Sequence, residues 1–341
     1  MKLTYNNGLE IEGLDLHLDA HRKAEFSFVS HAHTDHIASH KKILATPETI
    51  LFFKQRYKQV ATRALQFNQK TKIGNFEVEL FPAGHILGCA QILLENKGRR
   101  IVYTGDFKLQ RGATTPPAEI IDSDILIMES TFGQPHYVFP KRETAIDQLI
   151  NFVQKTLLSN QTPVILAYSL GKSQEAIKEL GDFGFEIYAE QTVHKFCRLY
   201  EDCGVQFHNL HTLPVDDFRG KVLVFPPYFK KYKSLIKRIY PKRTCFLSGW
   251  GMDRNSNFRV GADLTVPLSD HADYNDLIRY VEESSPKKVY TLHGFPEFAE
   301  DLRARGFDAT YLDKKMTVPL TGSDPSTGGA GGAVNFDLFL D

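Results

Sequence analysis

The chain has no surplus of charge of either sign: Lys and Arg total 41, Asp and Glu total 41, and the formal net charge is zero. That argues against a protein held to nucleic acid by bulk charge, while leaving local basic patches open. Cysteine is scarce: Cys89, Cys197, Cys203 and Cys245 form no CxxC and no regular spacing. A disulfide framework is not written in that pattern, and reduced, mostly buried thiols are expected. No run approaches the ~18 apolar residues of a membrane span, and the opening "MKLTYNNGLEIEG" has no apolar signal core. No repeat is found. The expectation is a soluble, cytoplasmic protein.

What is present suffices for a large core or two domains, with 341 residues, 42% of them hydrophobic. Residues 1–130 read as mostly β, in short runs such as "FEVELFPA", "AQILLE", "RIVYTG" and "DILIMES" bounded by Gly and Asn turns. From about 142 the period changes. "ETAIDQLINFVQKTLL" has a helical pattern, "TPVILAYS" reads as a buried strand, and "GKSQEAIKELGDFG" as a second helix. Strand–helix alternation to about 245 suggests a small α/β insert with a partly parallel sheet. β character then returns in "RTCFLSG" and "KKVYTLHG", with "DYNDLIRYVEESS" a helix between them.

The chemistry concentrates in "HAHTDH", residues 31–36. If the preceding strand "FSFVS" runs on, His31 and His33 lie two apart and point to one side. Asp35 and His36 follow at a turn and a helix start. Converging N and O ligands suit zinc or a comparable divalent ion. His85 in "PAGHILG", Asp106 in "YTGDF" and His293 in "YTLHGF" each sit at the C-terminal end of an apolar strand beside a glycine. Other histidines, among them His21 and His40, read as ordinary surface or core residues.

HAHTDH followed by "AGHILG" and "YTGDF" resembles the metallo-β-lactamase fold family. Within it, "MESTFG" (Glu129), "LSDHAD" (His271) and "TLHG" (His293) resemble the added motifs of the β-CASP nucleases. With "AYSLGKSQE" and "SGW", the set is most similar to the bacterial DNA ligase-associated exonucleases, over about residues 25–312. The resemblance implies an α/β protein, an αββα four-layer sandwich with a short inserted α/β subdomain. The expected division is residues 1–138 and 246–320 for the sandwich, 139–245 for the insert and 321–341 for a flexible tail. It also implies two divalent ions, zinc or manganese. His31, His33 and His85 would hold one, Asp35, His36 and His293 the other, and Asp106 would bridge them. Asp35, His271 and Glu129 would be catalytic, with His271 the general acid and Glu129 orienting it. Asp19 in "LHLDAHR" matches an early supporting aspartate. The insert is about half the length found in the larger β-CASP proteins.

The implied chemistry is phosphodiester hydrolysis by a metal-activated hydroxide, most naturally by a DNA exonuclease in repair. An RNA-processing ribonuclease and a small-molecule lactam or thioester hydrolase are the alternatives, the last needing neither Glu129 nor His271. "KKYKSLIKRIYPKR" offers Lys230, Lys231, Lys233, Lys237 and Arg238 to a nucleic acid, with Tyr232 and Tyr240 interleaved. Ser169 and Lys172, at a strand-to-helix turn, read as a phosphate seat. Trp250 reads equally as core or stacking platform. After the Gly- and Ser-rich linker, Asn335-Phe336-Asp337-Leu338-Phe339 resembles the Q-L-D/S-L-F pentapeptide that docks bacterial repair proteins on the sliding clamp, departing at its first two positions.

Overall fold

A computed structural model describes residues 1–213, 217–227, 235, 236, 238–253 and 261–320. The pentapeptide at 335–339 and Lys230, Lys231, Lys233 and Lys237 lie outside these residues. Among the described residues the strands form three sheets. The first joins β1 (Lys2–Asn6), β2 (Gly8–Ile11), β3 (His17–Leu18), β4 (Phe26–Phe28), β5 (Lys42–Ala45) and β6 (Ala61–Ala64) in sequence order, with β20 (Met316–Pro319) outside β1. The second holds β7 (Lys70–Ile73), β8 (Phe76–Pro82), β9 (Ala90–Asn96), β10 (Arg99–Tyr103) and β11 (Ile125–Glu129). Beyond β11 it continues with the late strands β18 (Lys288–Leu292) and β19 (Ala309–Tyr311).

Period-two alternation explains why these two sheets face each other. In β10, Ile101 and Tyr103 enter the cluster between the sheets, while Val102 joins the cluster on the outer face. In β11, Ile125 and Ile127 face inward, Leu126 and Met128 outward. That outer face is covered by helices α5 (Tyr274–Ser284) and α6 (Glu297–Ala304), through Leu277, Tyr280, Val281, Phe298 and Leu302. The first sheet's outer face carries α1 (Pro47–Phe53), whose Ile50 and Phe53 pack on Val29 and Ile43. The layers are therefore helix, sheet, sheet, helix, as the resemblance implies.

The third sheet belongs to the insert. Its order is β14 (Leu210–Thr212), β13 (Ile187–Ala189), β15 (Val222–Phe225), β12 (Thr162–Leu166), β16 (Lys242–Leu247) and β17 (Leu264–Val266), and every pairing is parallel. Helix α2 (Arg142–Leu158) buries Ala145, Ile146, Leu149, Phe152 and Val153, spaced three and four apart along one face. With α3 (Lys172–Asp182) and α4 (Gln191–Asp202) it covers one side of this sheet. On the other side Ile236 and Ile239 are buried as expected of the basic stretch's apolar positions. The sheet runs past residue 245: β16 is an inner strand and β17 its edge.

Seven loops leave the C-terminal ends of β4, β8, β10, β11, β12, β17 and β18 and meet at one edge, the place where strand-end loops of α/β folds gather their ligands. The turn after β18 is the tightest. Ser130 N–H donates to Leu292 O at 2.8 Å, and Gly294 lies so close to the Ser130 carbonyl that a Cβ has no room. Gly294→Ala should lower stability by roughly 1–3 kcal/mol through overpacking. Urea unfolding would measure it, and a change of only a few tenths would show the turn to be slack.

Candidate active site

His31, His33 and His36 are not held by a strand or a helix. Strand β4 ends at Phe28, residues 31–33 are irregular, and 34–36 form a turn with no helix after it. The convergence expected from strand alternation comes instead from hydrogen bonds, and Asp19 supplies most of them. Its carboxylate accepts from Ser30 N–H (2.7 Å), Ser30 Oγ (2.6 Å), His36 Nδ1 (2.9 Å) and Tyr103 OH (2.8 Å). Asp19 takes φ +45°, a left-handed conformation that Asp tolerates better than most residues.

The protons follow from this network. Ser30 Oγ gives its hydrogen to Asp19, so it accepts from His31 Nδ1 at 3.0 Å. His33 Nε2 donates to Leu170 O at 3.0 Å, and His85 Nδ1 donates to Asp270 O at 2.9 Å. Each ring is thereby left with its lone pair on the other nitrogen. Those nitrogens face one another, His31 Nε2 to His33 Nδ1 at 3.1 Å and His33 Nδ1 to His85 Nε2 at 3.0 Å. Burial, then the neighbouring His271, lowers the His85 pKa to about 3, and burial and His36 hold His31 well below the ordinary value. The neutral His31 and His85 rings thus both turn a lone pair toward His33 Nδ1. Nitrogens ~2.0–2.1 Å from a shared tetrahedral ion stand about 3.3 Å apart. The donor set fits a zinc-type ion.

A second group adjoins it. Asp106 Oδ2 stands 3.4 Å from His36 Nε2, 3.6 Å from His31 Nε2 and 3.8 Å from His85 Nε2, a central position open to two ions. Burial opposes the Asp106 carboxylate, but His36 outweighs it and holds the pKa well below the usual range. Asp35 Oδ2 is 3.7 Å from His36 Nε2, with its side chain 52% exposed. His293 is more distant: its ring centroid is 5.5 Å from that of His36, and its backbone is left-handed at φ +53°. The donor atoms of His31, His36 and Asp106 lie within 4.8 Å of one another, as do those of His85, Asp106 and His271; among the described residues neither Asp35 nor His293 joins such a trio.

His271 lies against the first group, its ring 4.5 Å from that of His85. Glu129 takes His271 Nδ1 at 2.9 Å and is itself steadied by Phe107 N–H at 2.7 Å. Burial works against the His271 cation, but Glu129 prevails and raises its pKa to about 9. Burial likewise raises the Glu129 pKa. Trp250 packs beside this pair in an aromatic cluster, 4.7 Å from Phe132, whose ring is 5.9 Å from His271.

Lys172, expected at a phosphate, lies at the start of α3. It is buried, and its Nζ pairs with Asp270 Oδ1 at 2.8 Å. Ser169 is half-buried, its carbonyl accepting Gln174 Nε2. Arg238 is exposed. Sequence reasoning passed over His21, whose Nδ1 bonds Asp35 O at 3.3 Å beside the His293 ring, and Ser30, Tyr103 and Asp270. Asp270 and Tyr103 both stood in recognised motifs, the one directly before His271 and the other at the head of YTGDF.

A two-sheet sandwich flanked by helices, with imidazoles and carboxylates gathered at one edge, defines the metallo-β-lactamase class. A family model described as "Zn-dependent metallo-hydrolase RNA specificity domain" matches residues 264–319. A "Probable DNA ligase" of Opitutus terrae is 39% identical over 94% of this chain, which spans only 32% of that protein. An "RNase J-like protein" of Methanocaldococcus jannaschii is 25% identical over 78% of the chain and 80% of its own length. A crystal structure of a protein from Enterococcus faecalis V583 shares the fold, with TM-score 0.61 and 15% identity over 86% of this chain and 80% of that one. The chain belongs to the β-CASP family of metallo-β-lactamase-fold proteins. Among the described residues, no helix is long and apolar enough to cross a membrane.

Because four donors converge on Asp19, Asp19→Asn should weaken zinc binding roughly 10–100-fold. Competition with a chromogenic chelator measures this, and unchanged affinity would remove Asp19 from the centre.

Proposed function

We propose that the chain is a metal-dependent phosphodiesterase, an exonuclease acting on DNA in repair. The observation that carries the reading is the Glu129–His271 pair beside the ligand cluster, since a lactam or thioester hydrolase has no need of a second, protonated histidine. His31, His33 and His85 would hold one divalent ion and His36, Asp35 and His293 the other, with Asp106 between them. Zinc is the favoured ion and manganese the alternative. Bound there, the ions supply positive charge to the phosphodiester oxygens and a water acidic enough to attack near neutral pH.

The chain's own groups do the rest. Glu129 keeps the proton on His271 and fixes the ring's orientation. His271 gives its other proton to the leaving oxygen. Lys230, Lys231, Lys233, Lys237 and Arg238 are proposed to hold the strand, with Ser169 at its phosphates. The sandwich (1–138 and 246–320) carries the chemistry, and the insert (139–245, with its sheet continuing to Val266) covers the cleft. Similarity to the "Probable DNA ligase" supports DNA and work beside a ligase. Phe336, Asp337, Leu338 and Phe339 would tether the enzyme to a sliding clamp. The description of the matched family model favours a second reading, an RNA-processing ribonuclease.

Protein loaded with Mn²⁺ or Zn²⁺ should progressively shorten end-labelled DNA. Shortening of RNA instead would establish the second reading, and nitrocefin turnover without nuclease activity would overturn both. His271→Ala should lose about 10²–10⁴-fold in turnover while keeping its metals. With a raised pKa, His271 is protonated at neutral pH, so activity should fall as pH rises through about 9. Glu129→Gln removes the charge that holds this proton and should move the alkaline limb to lower pH. A limb unmoved by Glu129→Gln would assign it to another group.

A further inference from the structure

The turn Ser169-Leu170-Gly171-Lys172 connects β12 to α3 inside the insert, yet its polar atoms serve the sandwich. Leu170 O accepts His33 Nε2 at 3.0 Å. Gly171, at φ +94°, packs its backbone against the side chain of Ile86, the residue after His85, leaving no room for a Cβ. Lys172, 6% exposed, reaches Asp270 Oδ1 at 2.8 Å, and the carbonyl of the same Asp270 accepts His85 Nδ1 at 2.9 Å. One turn thus sets the outward nitrogens of two of the three imidazoles that face one another.

The loop it grips is short and doubly anchored. Ser269 O accepts Lys108 Nζ at 2.7 Å, from the segment after β10, and Ser269 Oγ accepts His271 N–H at 3.0 Å. Two buried lysines, one from the sandwich and one from the insert, therefore hold residues 269 and 270 on either side of the His85 contact. An ammonium committed in this way to a buried carboxylate is a poor seat for a substrate phosphate but a firm strut. A histidine ligand whose second nitrogen is held in place binds metal more tightly than one free to turn.

We infer that this turn of the insert is part of the metal centre, with Lys172 a positioning residue that acts on His85 and His271 through Asp270. The inference rests on the reading of His31, His33 and His85 as metal ligands. It makes the insert more than a cover for the substrate: docking of the insert and retention of the metal become one equilibrium.

The test is zinc affinity of the full chain, measured by chelator competition, with far-UV circular dichroism and thermal melts recorded in parallel. Lys172→Met should weaken zinc binding roughly 10–100-fold. Because it leaves the Asp270 charge buried alone, the double variant Lys172→Met/Asp270→Asn is measured beside it, with both charges gone and the same loss expected. Lys172→Arg, which keeps the charge, should retain most of the affinity. His85→Ala is the reference for a lost ligand. If His85→Ala loses zinc while both Lys172 variants bind it as wild type does, the inference is overturned. A loss confined to variants whose melt has also collapsed overturns it too, since the ion pair is then only cement. If His85→Ala itself binds as wild type, the ligand reading falls and the inference with it.

Discussion

Three imidazole nitrogens that face one another at hydrogen-bond distance govern the whole edge of this sandwich. His31, His33 and His85 each have one nitrogen bound to an oxygen of Ser30, Leu170 or Asp270, and that bond decides where the lone pair points. Leaving a buried polar atom unsatisfied costs about 1–3 kcal/mol. Nitrogen donors gathered in one place in this way suit a positive ion. The ligand cluster is thus defined as much by the bonds behind the rings as by the rings themselves.

Those bonds explain the irregular backbone around the cluster. Asp19 and His293 both lie in the left-handed region, at φ +45° and φ +53°, and both border the cluster. Strained positions of this kind persist where surrounding structure over-determines them. Asp19 is pinned by four donors, and His293 by the crowded turn between Ser130 and Gly294.

Two kinds of histidine coexist within a few ångströms. His85, with only a carbonyl behind it, is kept neutral by burial, whereas His271, with the Glu129 carboxylate behind it, is kept charged. The partner on the far nitrogen, not the residue type, separates a neutral imidazole from a charged one. The same logic applies to Lys172, which looked like a phosphate seat until its carboxylate partner was seen.

Much of the fold was readable in the sequence because it rests on local periodicity. The β-rich first third, the 142–158 helix and the strand–helix alternation of the insert all follow from spacing of apolar residues along the chain. So do the strand-end positions of His85, Asp106 and His293, marked by apolar runs that stop at a glycine. The residue types of HAHTDH were enough to indicate a divalent metal. Tertiary structure alone decided how that motif converges: no strand or helix carries it, and its geometry comes from Asp19 and Leu170, the second of them 137 residues from the ring it serves. It alone paired Lys172 with Asp270, and it alone set His21 beside His293. A hydrogen-bond partner distant in the chain leaves no periodicity behind, so these choices become visible only when the sheets have brought their strand ends together.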